Sequence, residues 1–289
     1  MKTVGYLGPK GTFTEMAVKA MFPSYNRQPY STIPKCMDGV TNKEVSLAVV
    51  PLENAIEGSV NLTLDYLIHK QNLPIVGEIA VPIEQHLLVH SSHASAWTNV
   101  EKVFSHPHAI AQCHEFLRNT LPNVDLQYSN STGAAAEWLM KNPEKPVAAI
   151  GNELAAKEYG LSIVERDIHD FDNNRTRFVI LQNGDEQEEI TSSLLVSEKT
   201  TFMITLPSDY SGALHQVLSA FSWRKLNLSK IESRPMKTGL GNYFFVIDVE
   251  QRMDEILIPG VVEELKALGC GVRVLGSYPC FAISKVSAN

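Results

Sequence analysis

TVGYLGPKGTFTE, residues 3–15, decides how the first half of the chain is read. Thr3–Leu7 is a short run of apolar and β-branched residues, as in a buried strand, and it breaks at Gly8-Pro9. Thr12 and Glu15 stand at capping-box spacing, so a helix is expected to open there. Gly8 and Gly11 leave backbone N–H groups uncovered, and a helix N-terminus offers such groups to an anion. No Gly-Lys-Ser/Thr follows at the offset of a nucleotide phosphate loop, which sets that ligand class aside.

The same unit recurs downstream. Ser46–Val50, Leu73–Ile79, Lys102–Ser105, Val124–Tyr128 and Val147–Ile150 read as strands. Helical patterns follow at Gly58–His69, Pro107–Leu117, Thr132–Lys141 and Asn152–Tyr159. Such alternation builds parallel sheets flanked by helices, and ligands of these folds bind beyond the carboxyl ends of the strands. The junctions Ser105-His106-Pro107 and Ser131-Thr132-Gly133-Ala134 are therefore candidate ligand contacts beside the first one. Each alone reads equally as ordinary capping.

The rhythm changes after QNGDEQEEITSSLLVSEK, residues 182–199, an acidic stretch opened by an Asn-Gly turn signal. Beyond it, strands are expected at Thr201–Leu206, Leu228–Ser233, Tyr243–Val249 and Val272–Ser277. Helices are expected at Gly212–Trp223 and Glu255–Leu268, with a turn over Thr238–Asn242. That order, βαββαβ, is the order of a ferredoxin-like unit. The expected division is thus 1–181, an acidic linker 182–199, and 200–289.

Composition narrows the function. The chain has 289 residues, 25 basic and 32 acidic side chains, and a formal charge of −7. An acidic balance argues against nucleic acid and against an anionic membrane surface, because either calls for a basic face. Nine basic and eight acidic residues leave 200–289 nearly neutral, so the acid excess lies upstream. No apolar run reaches the roughly 18 residues of a membrane span, and the N-terminus lacks a signal-peptide apolar region. Cys36, Cys113, Cys270 and Cys280 are scattered, which fits reduced thiols and a cytoplasmic setting. His86 and His90 are four apart, but Leu87-Leu88-Val89 between them reads as strand, which would separate them. His106-Pro107-His108 has no ligand cluster beside it, so no metal and no cofactor are expected.

Two polar segments carry candidate chemistry. In Asp172-Asn173-Asn174-Arg175-Thr176-Arg177-Phe178 an extended chain puts Arg175 and Arg177 on one face and Thr176 on the other. Arginine makes forked contacts with carboxylates, although a solvated edge strand accounts for the same pattern. Pro51-Leu52-Glu53-Asn54-Ala55-Ile56-Glu57-Gly58-Ser59 places Glu53 and Asn54 just past a buried strand, at a cleft mouth or in turn and capping duty.

GYLGPKGTFTE (5–15), PLENAIEGSV (51–60), SHPHAIAQC (105–113), STGAAAEWL (131–139), AAIGNELAA (148–156) and NNRTRFVIL (173–181) together resemble the prephenate dehydratase family. GALH (212–215) and ESRP (232–235) resemble the phenylalanine-binding motifs of the family's ACT regulatory domain. The resemblance implies a two-lobed, periplasmic-binding-protein-like α/β catalytic domain with a cleft, followed by a ferredoxin-like ACT domain. It implies decarboxylating dehydration of prephenate to phenylpyruvate, with L-phenylalanine as feedback effector and a homotetramer built as a dimer of dimers.

Thr176 is implied as the principal catalytic residue, with Glu53, Asn54, Ser105 and Gln112 as active-site polar groups. Substrate binding is expected from Arg177, Phe178, Gly11, Thr12, Ser131, Thr132 and Gly133. Effector binding is expected from Gly212, Ala213, Leu214, His215, Glu232, Ser233, Arg234 and Pro235. His108 stands where the family often has glutamine, which bears on pH dependence if that side chain touches substrate; His215 stands where valine is common. Arogenate dehydratase and a non-catalytic amino-acid sensor are the alternatives left open. No N-terminal mutase domain is expected, because the dehydratase segment opens the chain.

Overall fold

The computed structural model describes residues 2–184, 189–208, 210–236 and 243–284. Its contacts divide the chain into two compact units: one formed by residues 1–72, 79–183 and 283 onward, the other by 73–78 and 184–282.

The first unit begins with β1 (Thr3–Leu7), α1 (Phe13–Met21), β2 (Asn26–Tyr30), α2 (Ile33–Thr41), β3 (Leu47–Asn54), the short β4 (Gly58–Ser59), α3 (Asn61–His69) and, from residue 79 on, β5 (Ile75–Pro82). β1 pairs in parallel with β2 and β3. Leu47, Ala48, Val49 and Val50 are all buried, as expected of a parallel strand covered on both faces. A second lobe follows with β6 (His86–Val89), β7 (Lys102–Ser105), α4 (Pro107–Ala111), α5 (His114–Thr120), β8 (Asp125–Tyr128), α6 (Thr132–Lys141), β9 (Val147–Gly151), α7 (Glu153–Tyr159) and β10 (Ser162–Glu165). Its five-stranded sheet runs β10-β6-β9-β7-β8. One face packs on α4 and α5 through Val103, Ile110, Leu117 and Ile150; the other packs on α6 and α7 through Leu88, Ala135, Leu139 and Ala155.

The chain then returns to the first lobe as β11 (Arg175–Gln182), antiparallel to β3. The expected two-lobed arrangement therefore holds, with crossovers at residues 83–85 and 166–174. The β11–β3 register sets Thr176 opposite Asn54 and Arg177 opposite Glu53. Two stretches more than a hundred residues apart are thereby locked side by side.

The second unit contains β12 (Leu195–Thr205), α8 (Ala213–Ser222), β13 (Leu228–Pro235), β14 (Tyr243–Val249), α9 (Leu257–Ala267) and β15 (Gly271–Ala282). The strand order β13-β14-β12-β15, antiparallel throughout, is the ferredoxin-like arrangement. Phe202, Phe221, Ile247 and Val261 form its core. Segment 73–78 belongs to this unit: Glu78 pairs with Lys199 at 2.9 Å. A Cβ on Gly276 would sit 2.2 Å from the Ile75 carbonyl oxygen. The unit ends before Ile283, whose N–H donates to the Ala80 carbonyl of the first unit at 3.0 Å.

Several expected boundaries move, each for a local reason. The helix expected over Pro107–Leu117 is two helices. The Asp170 N–H binds the Gln112 carbonyl at 2.7 Å, taking the acceptor that a continuous helix needs. The helix expected from Gly58 starts at Asn61, because Gly58 (φ +80°) closes a hairpin pairing with Asn54. The strand expected to start at Thr201 begins at Leu195, inside the expected linker. Residues 185–188 of that linker and the expected turn at 238–242 lie outside the described residues.

Candidate active site

A cavity of about 960 Å3 opens in the first unit where the strand ends of its two lobes meet. Two helices point their N-termini into it. Thr12 caps α1, its hydroxyl accepting the Glu15 N–H at 3.3 Å, while the buried Glu15 carboxylate accepts the Gly11 N–H at 2.7 Å. Ser131 caps α6 by accepting the Ala134 N–H at 3.0 Å. The first N–H groups of each helix, at Phe13 and Thr14 and at Thr132 and Gly133, have no acceptor within their own helix. The positive ends of both helix dipoles therefore favour an anion in the cavity.

These two N-termini touch. A Cβ on Gly133 would stand 2.6 Å from the Lys10 carbonyl oxygen and 3.2 Å from the Thr12 methyl carbon. The Tyr159 hydroxyl holds the same Lys10 carbonyl at 3.1 Å. Gly11, at φ +75°, packs on Ala155 and Tyr159, where a side chain would collide. The expected glycines thus serve approach between backbones, and neither lines the cavity itself.

Thr176 is nearly buried and lines the cavity beside Phe178. Asn54 Nδ2 donates to Thr176 Oγ1 at 2.9 Å and to Asn174 Oδ1 at 2.9 Å, while Asn54 Oδ1 accepts the N–H groups of Ile56 and Glu57, both at 3.0 Å. Asn174 Nδ2 in turn donates to Gln112 Oε1 at 3.1 Å. Gln112 Nε2 reaches Glu57 Oε1 at 3.4 Å, and Glu57 Oε2 lies 3.7 Å from His108 Nε2. A polar chain thus runs from Thr176 to His108, across both lobes. Because Asn54 fills one lone pair of Thr176 Oγ1, the threonine hydrogen is left to donate into the cavity.

Burial, followed by the neighbouring His108, lowers the pKa of His106 and favours its neutral form. Burial pushes the Tyr30 and Tyr159 phenols up to about 12, with Glu44 adding to the first and Glu137 to the second.

Of the expected site residues, Thr12, Asn54, Gln112, Ser131, Thr132, Thr176 and Phe178 line this cavity. Glu53 and Arg177 do not; they form an ion pair with each other on the opposite face of β3 and β11. Ser105 is fully buried and donates to the Ile150 carbonyl at 2.7 Å, joining β7 to β9. Lys10, Glu57, Gln85 and Asn174 were not expected. Lys10, Glu57 and Asn174 lie within the quoted motifs, and Asn174 stands two residues before Thr176, as β-strand periodicity would allow.

Among the described residues one cluster, Glu84, His86 and Asp167, brings three ligand-type atoms together. His86 Nδ1 already accepts the Asp167 N–H at 3.0 Å, which uses that lone pair. Also among the described residues, no helix is long and apolar enough to cross a membrane.

In the second unit, Gly212 (φ +92°) caps α8, whose residues Leu214 and His215 are exposed while Ala213 is buried. Glu232, on the edge strand β13, lies 3.1 Å from Lys230 and 3.5 Å from Arg234. Ser233 and Pro235 of the same strand are exposed.

Fold and site together define a two-lobed α/β cleft protein whose cavity suits a small anion and which carries a ferredoxin-like unit on the same chain. The family model for prephenate dehydratase matches residues 4–186, and the chain belongs to that family. It is 56% identical over 283 residues to the prephenate dehydratase of Bacillus subtilis (strain 168), covering 97% of this chain and 99% of that one. A solved prephenate dehydratase from Arthrobacter aurescens, in complex with L-Phe, is 35% identical with a TM-score of 0.84, over 96% of this chain and 89% of that one. The enzyme from Staphylococcus aureus subsp. aureus Mu50 is 31% identical with a TM-score of 0.80, over 96% and 100%.

Proposed function

We propose that the chain is a carbon–oxygen lyase that converts prephenate to phenylpyruvate, with L-phenylalanine as its effector. The observation that carries the reading is Thr176, held by Asn54 so that its O–H donates into a cavity faced by two helix N-termini. Prephenate carries two carboxylates, a ring hydroxyl and a side-chain ketone. In the reaction the bond from the ring to its carboxylate breaks, and the electron pair enters the ring. The C4–O bond breaks, the oxygen leaves as water once it takes one proton, and carbon dioxide departs. Aromatisation supplies much of the driving force, so the residues have to orient the substrate and polarise the leaving oxygen.

The N–H groups of α1 and α6 hold carboxylate, and the Thr176 hydroxyl hydrogen bonds to the departing oxygen. An alkyl hydroxyl is a weak acid, so Thr176 polarises or relays and does not supply the proton unaided. Arg177, paired with Glu53, supports β11 from the other face and has a structural part in this scheme.

The regulatory part of the reading is supported by the L-Phe complex of the Arthrobacter enzyme and by the ferredoxin-like second unit. L-Phenylalanine binds through residues 212–215 and 232–235, in a cytoplasmic homotetramer arranged as a dimer of dimers. Side-by-side assays of prephenate and arogenate, with and without L-phenylalanine, test the whole proposal. Phenylpyruvate from prephenate, at a rate that changes with L-phenylalanine, is the expected result. Preferential turnover of arogenate would reassign the substrate, and turnover of neither would leave an amino-acid sensor.

A further inference from the structure

The charges around the cavity do not suit a doubly negative ligand at first count. Among the described lining residues Lys10 is the only lysine or arginine, while Glu57 and Glu137 both bring negative charge. Glu137 is matched by Lys141 at 2.5 Å, one helical turn away. Among the described residues Glu57 has no lysine or arginine partner; its neighbours are the Gln112 amide and His108. With His108 neutral, the Glu57 charge opposes the ligand; with His108 protonated, the pair is balanced and Lys10 and the helix ends dominate.

We propose that His108 is a substrate-binding residue that serves only in its protonated form, with Glu57 as the positioning residue that holds its imidazolium at the cavity rim. This deepens the dehydratase reading and rests on it for the double charge of the ligand. The other titratable groups beside His108 or lining the cavity do not substitute for it. His106 lies edge-on at 4.9 Å between ring centroids, and its Nδ1 accepts the His108 backbone N–H at 3.3 Å. Burial and the proximity of His108 keep His106 toward its neutral form. Tyr30 and Tyr159 stay neutral through the histidine range. The carboxylates of prephenate are ionised throughout that range. Histidine is the side-chain type whose charge ordinarily changes between about pH 5 and 8, and His108 is the cavity histidine set against a carboxylate.

The sign follows directly. Losing the imidazolium charge as pH rises weakens dianion binding. The effect expected on kcat/KM is about tenfold, as for one charge at a half-exposed site. Three proteins are assayed with prephenate between about pH 6 and about pH 8.5, subtracting uncatalysed decay. Wild type loses kcat/KM with rising pH, mostly through KM. His108→Gln has a flat KM profile at the high-pH level of wild type. Glu57→Gln removes the opposing carboxylate and binds better than wild type at the alkaline end. A His108→Gln profile that still falls like wild type overturns the proposal.

Calorimetric titration of prephenate into wild type and His108→Gln at the two pH extremes separates this idea from the functional reading. Absence of turnover with pH-dependent binding lost in His108→Gln sinks the dehydratase reading and leaves the charge role standing. Binding that ignores pH in wild type sinks the charge role.

Discussion

Gly133→Ala probes the contact between the two helix N-termini most directly. The added methyl would stand 2.6 Å from the Lys10 carbonyl oxygen, where ordinary contact begins near 3.4 Å, so about 0.8 Å of separation must be found. The obstructing atom is backbone, already held by the Tyr159 hydroxyl, and cannot swing aside as a side-chain tip would. Overpacking of this kind costs about 1–3 kcal/mol, which lowers the melting temperature by about 2–4 °C per kcal/mol for a domain of this size. The same shift separates the N–H groups proposed to hold the carboxylate, and a misplacement near 1 Å is worth up to about a hundredfold in rate.

Steady-state kinetics with prephenate should therefore show kcat/KM down by about tenfold to a hundredfold, alongside the thermal loss. Gly160→Ala is the control: Gly160 ends α7 at φ +64° with nothing within 4 Å of a Cβ. That variant should lose about 1 kcal/mol of stability from backbone strain and keep its kinetics. Wild-type kinetics in Gly133→Ala would refute the claim that the paired helix ends form the carboxylate site.

Other expectations follow from the same geometry. Thr176→Ala should reduce kcat by about a hundredfold while prephenate still binds, and Thr176→Ser should restore most of the loss; turnover near wild type in the alanine variant would exclude the polarising role. Glu53→Gln removes the Arg177–Glu53 ion pair and should lower stability by about 1 kcal/mol in denaturant melts, with Glu53→Gln/Arg177→Gln costing less than the two single losses together; strictly additive losses would deny the coupling. Burial pushes the Cys36 thiol from its ordinary 9.0 up to about 12, and the Tyr30 and Tyr159 phenols to the same value. The unfolded chain ionises these groups at lower pH than the folded one. Their contribution to stability is whole below about pH 9 and drains away as pH climbs toward about 12, which urea melts across that window would reveal as a falling midpoint. A midpoint that holds steady would contradict it.

The sequence made most of this architecture legible because its strands are short and apolar and its helices announce their caps. β2 escaped because Asn-Arg-Gln-Pro-Tyr forms a largely exposed edge, with no buried face to imprint a pattern. The alternation of Arg175, Thr176 and Arg177 correctly put threonine and arginines on opposite faces. It could not reveal that Arg177 faces Glu53, since that partner is fixed by an antiparallel register set over a long sequence separation. Ser105 looked like a cleft hydroxyl because it ends a strand, yet the Ile150 carbonyl on the adjacent strand claims it. Asn174, Lys10 and Glu57 lie within the quoted motifs, but each becomes significant only through neighbours that folding supplies.

The placement of Leu73–Glu78 has a practical consequence for anyone dissecting the molecule. A fragment beginning at Gly184 would lack the carboxylate that neutralises Lys199 and would leave the backbone around Gly276 uncovered, inviting self-association. The two halves are threaded through one another along the polypeptide, so scissors applied at residue 183 would yield two incomplete products.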